Sequence, residues 1–158
     1  MSFRCARSAV RTPPVARFSH TVEISRPPAE VFPWLLEEDK VPVWTGSLES
    51  YERLGAGALG RGSRVRQVLE ISGRRLNVEM EVTAYEPPTG AQTRFSTNGI
   101  EVVNAYALEA AGAGTRLTQS VEANPSGLTA RLLVPVLQPR LEEKLRQDLE
   151  RLRAELSG

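Results

Sequence analysis

From Phe18 onward, apolar and polar residues alternate with a period of two, which predicts β-strands. In the first strand Phe18, Val22 and Ile24 share one side, with polar residues between them. The same alternation, interrupted by turn residues, predicts six further strands: Leu48–Leu54, Ser63–Ile71, Arg75–Tyr85, Gln92–Thr97, Ile100–Glu109 and Thr115–Glu122. Loops as short as Asn98-Gly99 can join only antiparallel neighbours, so these strands predict an antiparallel sheet.

Two short helical segments are predicted between the first and second strands. The first opens at Pro27-Pro28, where proline suits the first helical turn. Pro33 follows within it and should kink or shorten the helix, because proline lacks an amide hydrogen. The second segment covers Lys40 to Thr45 and carries Trp44.

The apolar period becomes helical between Leu128 and Leu156. One face of this segment carries leucines three or four residues apart: Leu141, Leu145, Leu149, Leu152 and Leu156. Pro135 and Pro139 predict a kink or break in its first half. The stretch Leu132–Leu137 is apolar on all sides, so we expect it to face the sheet on one side and a lid or cavity on the other.

This order of elements predicts an α+β fold. A curved antiparallel sheet with the long C-terminal helix laid across its concave face buries the apolar side of both. The chain has 158 residues, of which 41% are apolar and 25% charged, enough for one packed domain.

The charge of the chain is +1 and is unevenly distributed. Four of the 20 basic residues lie in residues 1–17, which leaves 16 basic against 19 acidic residues in the remainder. A nucleic-acid binder shows the opposite bias, so we expect no nucleic-acid partner. No apolar run approaches the roughly 20 residues that span a bilayer, and we expect a soluble, cytoplasmic protein without a transmembrane segment. A homodimer is left open.

Residues 1–17 differ in composition from the rest and are predicted to lie outside a domain of residues 18–158. They contain arginine and serine, no acidic residue and no apolar periodicity. Three interpretations stay open: a transit peptide, a genuine arm, or a start codon assigned too early. Cys5 is the single cysteine and His20 the single histidine, so no disulfide, cysteine cluster or histidine pair can form within the chain. We therefore expect no metal and no cofactor.

A literal GxGxxG pattern occurs at Gly55–Gly60. In dinucleotide-binding proteins such a loop opens a helix whose amino end holds the pyrophosphate. Here a strand pattern that begins at Ser63 follows instead, so the segment is interpreted as a loop between two strands.

Four neutral polar residues fall in phase with apolar neighbours on predicted strands: His20, Gln67, Asn104 and Gln119. A polar side chain on a buried face needs a hydrogen-bond partner, which protein, water or a ligand can provide. Their shared phase favours a partly polar cavity. The candidate cavity residues are Trp44, Gln67, Val78, Met80, Phe95, Asn104, Tyr106, Gln119, Leu133 and Leu137. His20 lacks a partner nearby in sequence and is interpreted as structural, and no catalytic residue is assigned.

The order of elements and several short sequence segments together resemble the START-like, or SRPBCC, superfamily, in particular its polyketide cyclase/dehydrase branch. The segments are Val22–Ile24, Pro28–Phe32, Trp44, Gly60–Arg64, Val82–Pro88, Gly114–Thr118 and the leucine-rich last helix. The resemblance implies a helix-grip fold with an internal cavity for a hydrophobic small molecule. It implies no particular reaction, because the superfamily includes binders, cyclases, transfer proteins and interaction modules.

Three functions follow as alternatives. The first is binding or transport of a hydrophobic small molecule between the sheet and the C-terminal helix. The second is a cyclase or aromatase, whose chemistry needs acids, bases or oxyanion donors in the cavity. The third is a protein-interaction module built on the same fold, which an exposed apolar groove beside the helix would favour.

Overall fold

The computed structural model describes residues 16–71 and 73–157. Its strands are β1 (Ala16–Ile24), β2 (Leu48–Leu54), β3 (Arg64–Ile71), β4 (Arg74–Glu86), β5 (Gly90–Thr97), β6 (Ile100–Ala111) and β7 (Gly114–Pro125). Its α-helices are α1 (Pro28–Val31), α2 (Val41–Trp44) and α3 (Leu128–Ser157), with a 3₁₀-helix at Phe32–Leu35 between α1 and α2.

The seven strands form one antiparallel sheet in the order β1-β7-β6-β5-β4-β3-β2, which is curved and does not close into a barrel. Each strand from β2 to β7 pairs with the next along the chain, as their short loops require. Strand β1 pairs with β7 at one edge of the sheet, and α3 packs against both of these strands. The α+β, helix-grip architecture predicted from the sequence is confirmed.

Strand β1 begins two residues before the predicted strand. Ala16 pairs with Ala123 of β7 and is 3% exposed. The fifteen residues before Ala16, including Cys5, lie outside the described residues. The division into arm and domain stays a prediction.

The first short helix is cut short where the sequence places a proline. Helix α1 ends at Val31, and the chain continues as the 3₁₀-helix that contains Pro33. Trp44 lies in α2 and donates its indole Nε1–H to the carbonyl oxygen of Trp34 at 2.8 Å. This bond ties α2 to the 3₁₀-helix.

Helix α3 runs without a break through Pro135 and Pro139, so the predicted break is wrong. The two prolines are four residues apart, and both are exposed. The carbonyl groups that lose their amide partners therefore face water, which can hydrogen-bond them. The expectation that both sides of Leu132–Leu137 are covered is also wrong, since Leu132 and Val136 are 66% and 69% exposed.

The second half of α3 forms the main core with the sheet. Leu149 and Leu152 are completely buried and join a hydrophobic cluster with Val22 of β1 and Leu117 of β7. A smaller cluster lies at the other end of the helix: Ala16, Ile100, Ala123, Ala130 and Val134. In the described part of the chain, no helix has the length and hydropathy needed to cross a membrane.

The buried face of α3 should contribute far more to stability than its polar face. Replacing Leu149 by Ala should lower the free energy of unfolding by about 2–5 kcal/mol, because the cavity left behind cannot fully collapse. The control Arg146→Ala, on the exposed face, should cost less than about 0.5 kcal/mol. Urea unfolding followed by circular dichroism measures both, and equal losses would contradict this packing.

Candidate functional site

A cavity of about 190 Å³ lies between helix α3, the sheet and the short helices. All seven strands contribute to its lining: Phe18, Tyr51, Gln67, Leu69, Ile71, Met80, Phe95, Val102, Asn104, Tyr106, Gln119, Val121 and Ala123. The rest comes from the short-helix region and from α3: Leu35, Leu36, Val41, Trp44, Thr45, Leu141, Lys144, Leu145 and Asp148.

The strand pairing explains why the polar residues of the cavity meet. Asn104 and Tyr106 are two residues apart on β6 and therefore point to the same face. Tyr106 stands opposite Gln119 of β7 in the register of the sheet. Gln119 donates its side-chain Nε2–H to Oδ1 of Asn104 at 3.1 Å, so the two amides form a pair within the wall.

The Tyr51 hydroxyl in the sheet wall donates to the carbonyl oxygen of Leu36 at 3.0 Å, whereas Gln67 and Tyr106 have a weak partner or none among the described residues. Gln67 is 9% exposed and directs its Nε2 to the sulfur of Met80 at 3.6 Å, which is a weak acceptor. The Tyr106 hydroxyl has no hydrogen-bond partner in the described part of the chain. These groups are available to a molecule in the cavity.

Tyr106 is a proton donor in this setting and not a base. Burial raises the pKa of its phenol, and the negative charge of Asp148 raises it further. The hydroxyl is therefore protonated at neutral pH and can donate a hydrogen bond to an oxygen in the cavity.

A charged cluster centred on the buried Asp148 lies on the helix side of the cavity. Asp148 is 6% exposed and accepts hydrogen bonds from Lys144 Nζ at 2.5 Å, the Gly46 amide at 2.9 Å and Arg151 at 3.2 Å. Arg151 also donates to the carbonyl oxygen of Trp44 at 3.0 Å. These bonds join α3 to the end of α2, where Trp44 lines the cavity.

Seven of the ten residues predicted from the sequence line this cavity: Trp44, Gln67, Met80, Phe95, Asn104, Tyr106 and Gln119. Val78 is buried but does not line it, and its cross-strand partner Gln67 has the longer side chain that does. Leu133 and Leu137 do not line it either. The continuous helix places Leu137 about one turn and Leu133 about two turns before Leu141, and Leu133 packs on the smaller cluster.

The other residues singled out in the sequence lie away from the cavity. The ring of His20 is 3.2 Å from the Glu150 carboxylate, at a partly exposed position. The glycines at 55–60 form a loop that leads into strand β3, as interpreted, and no helix follows them.

Lys144 and Asp148 are the functional candidates that the sequence reading missed. They stand three and seven residues after Leu141, on the same side of the helix as the leucine stripe. The sequence did contain a signal for them: two opposite charges four residues apart on the side of the helix that carries the leucines.

The match to a protein family covers almost all of the described chain. Residues 15–157 match the family model described as polyketide cyclase / dehydrase and lipid transport. The chain belongs to this family. The resemblance to the START-like superfamily and its polyketide cyclase/dehydrase branch is thereby confirmed. Among curated proteins, none matches this chain.

Solved structures share the fold at low sequence identity. The protein TTHA0849 of Thermus thermophilus is 15% identical, with a TM-score of 0.75 over 89% of this chain and 97% of that one. A START superfamily protein of Mycobacterium smegmatis is 18% identical, with a TM-score of 0.72 over 89% and 98%. The di-domain ARO/CYC StfQ from the steffimycin biosynthetic pathway is 11% identical, with a TM-score of 0.72 over 89% and 50%. At these identities the likeness shows the fold alone.

The Asp148 cluster should be a strong local contributor to stability. Replacing Asp148 by Ala removes an acceptor from two cations and leaves the Gly46 amide without its partner, so we expect a loss of about 1–3 kcal/mol. The control Glu143→Gln alters an exposed ion pair with Arg146 and should cost less than about 1 kcal/mol. Urea unfolding of both variants provides the comparison, and a loss no larger than the control's would refute this role.

Proposed function

We propose that this protein binds a hydrophobic small molecule in the cavity between its sheet and helix α3. The observation that carries the proposal is a cavity of about 190 Å³ with a mainly apolar wall and a few hydrogen-bonding groups without strong partners. Ligand pockets combine an apolar lining with a few such groups, which orient the ligand. An unfilled apolar cavity of this size is costly to stability, which also favours an occupant.

The family supports the same conclusion at a coarser level. Its description includes lipid transport as well as cyclase and dehydrase activities. A fold shared by carriers and enzymes does not select one activity, so the chemistry of the cavity has to decide. Within the described residues the cavity wall contains no histidine, and its one carboxylate, Asp148, is already bonded to Lys144, Arg151 and the Gly46 amide. Binding without chemistry is therefore the function that the site supports best.

Native mass spectrometry of the purified protein tests the proposal directly. We expect a species heavier than the bare chain that dissociates on activation. In parallel, the uncharged two-ring fluorescent dye 1-aminonaphthalene should bind, with its emission shifted to shorter wavelength. Absence of both a bound species and dye binding would refute the proposal.

A larger side chain inside the cavity should compete with the ligand for space. Met80 is 6% exposed and lines the cavity, so Met80→Trp should weaken dye binding at least about tenfold while the far-ultraviolet circular dichroism is retained. Val136→Trp is the matched control, because Val136 is 69% exposed on the outer side of α3. Its dye affinity should stay within about twofold of the wild type. Equal effects of the two substitutions would argue against binding in this cavity.

A cyclase or aromatase is the second candidate function, favoured by one observation. The protonated phenol of Tyr106 faces the cavity without a partner among the described residues, and it can stabilise an oxygen that gains negative charge during reaction.

Tyr106→Phe separates the two candidate functions. With a cyclisable polyketide-like substrate, the enzyme hypothesis predicts that turnover falls at least about a hundredfold, the usual loss of one oxyanion donor. Binding of the same substrate should change by less than about tenfold, since one neutral hydrogen bond is lost. The absence of turnover in the wild-type protein would leave the binding function alone.

A further inference from the structure

Lys144 is the one cation that lines the cavity in the described part of the chain. Its side chain is 24% exposed, and its Nζ donates to Oδ2 of Asp148. An ammonium group has three hydrogens to donate, and Asp148 is its one hydrogen-bond partner among the described residues. Two donor positions of Lys144 are therefore open to a ligand.

The charge of Asp148 does not cancel that of its surroundings. Its carboxylate is shared by two cations, Lys144 and Arg151, so the cluster carries one net positive charge. Arg151 is also held by the carbonyl oxygen of Trp44 and does not line the cavity. The Arg151 side chain is 47% exposed to water, so the cation that a ligand in the cavity can contact is Lys144, through its two open donor positions.

The sheet side of the cavity adds further hydrogen-bond donors. The hydroxyl of Tyr106 and the side-chain NH₂ of Asn104 have no acceptor among the described residues, because Asn104 is engaged through its oxygen by Gln119. Acceptors are also present in the wall: the amide oxygens of Gln67 and Gln119, and the carboxylate of Asp148, which already accepts from Lys144, Arg151 and the Gly46 amide. A ligand that satisfies the open donors of the wall must bring hydrogen-bond acceptors.

The dimensions and the wall limit the rest of the ligand. A protein cavity of about 150 Å³ accommodates benzene, so about 190 Å³ suits an apolar body of one or two small rings. Phe18, Phe95 and Val102 supply aromatic and aliphatic surface for such a body.

We propose that the cavity selects a small carboxylic acid, whose carboxylate contacts Lys144 and whose one- or two-ring apolar body lies against Phe18, Phe95 and Val102. This inference rests on the proposed binding function and narrows it to a ligand class. An ammonium with two open donor positions, in a wall that also carries neutral donors, suits a carboxylate, and the apolar wall excludes a polar remainder. The carboxylate completes the neutralisation of the Lys144, Arg151 and Asp148 cluster.

Naphthalene carboxylate and naphthalene carboxamide form a pair of probes with the same shape and different charge. Isothermal titration at neutral pH should show that the wild-type protein binds the carboxylate at least about tenfold more tightly than the carboxamide, the gain of a charge-assisted hydrogen bond over a neutral one. Lys144→Met should remove this preference and leave the affinity for the carboxamide within about threefold. Lys144→Arg should restore most of the preference, because the positive charge returns.

Arg153→Met is the matched control. It removes one positive charge from the same helix, but Arg153 pairs with Glu150 and does not line the cavity. The preference for the carboxylate should therefore persist in this variant. If Lys144→Met does not fold, Lys144→Gln takes its place, and the ratio of the two affinities in the wild type is a test that needs no variant.

The outcomes separate this inference from the proposed function. Equal binding of the two probes by the wild type, or a preference that survives in Lys144→Met, would overturn the selection of an acid and leave cavity binding intact. Failure of both probes while 1-aminonaphthalene binds would also overturn it alone. Failure of all three compounds would refute the proposed function together with the inference.

Discussion

An open, curved sheet has an apolar face that must be covered, and in this protein one helix does most of the covering. Where the stripe of α3 consists of leucines, as at Leu149 and Leu152, the helix packs directly on the sheet and both side chains are fully buried. Beginning about one turn earlier, Leu141 and Leu145 of the same stripe line a cavity between the helix and the sheet, together with Lys144 and Asp148. Lys144 and Asp148 therefore add charge to the part of the helix face that borders the cavity.

The polar residues of the cavity are organised as two groups, one on the sheet and one on the helix. On the sheet, the register of β6 and β7 brings the amides of Asn104 and Gln119 together and places Tyr106 beside them. On the helix, Asp148 gathers Lys144, Arg151 and the backbone amide that follows α2. Because the second group also holds the end of α2, the same bonds stabilise the cavity wall and set its charge. Arg151, the second cation of this group, lies outside the cavity lining with 47% of its side chain exposed, so Lys144 is the cation that faces the cavity.

Membership of the family limits the possible functions of this protein but does not select one of them. The matched family joins cyclases, dehydrases and lipid-transport proteins on one architecture. What distinguishes them is the chemistry of the cavity wall, and among the described residues that wall offers neutral donors, the Lys144 ammonium and one carboxylate, Asp148, that is already engaged by hydrogen bonds. This composition is suited to holding an acidic, mostly apolar molecule.

The sequence by itself determined the elements and the phase of each strand. Alternation of apolar and polar residues is a local property, so it located all seven strands and the in-phase amides Gln67, Asn104 and Gln119. Local rules also placed the interruption at Pro33, where an amide hydrogen is missing. They failed at Pro135 and Pro139, because whether a proline breaks a helix depends on what surrounds the freed carbonyls, and here that is water. Only the tertiary structure decided which part of α3 meets the cavity. Lys144 and Asp148 line the helix side of the cavity. The end of α2, which comes from a distant part of the chain, supplies hydrogen-bonding partners for their cluster. Burial of a charge is favourable only when such partners arrive, and sequence periodicity contains no information about a contact between residues about a hundred positions apart.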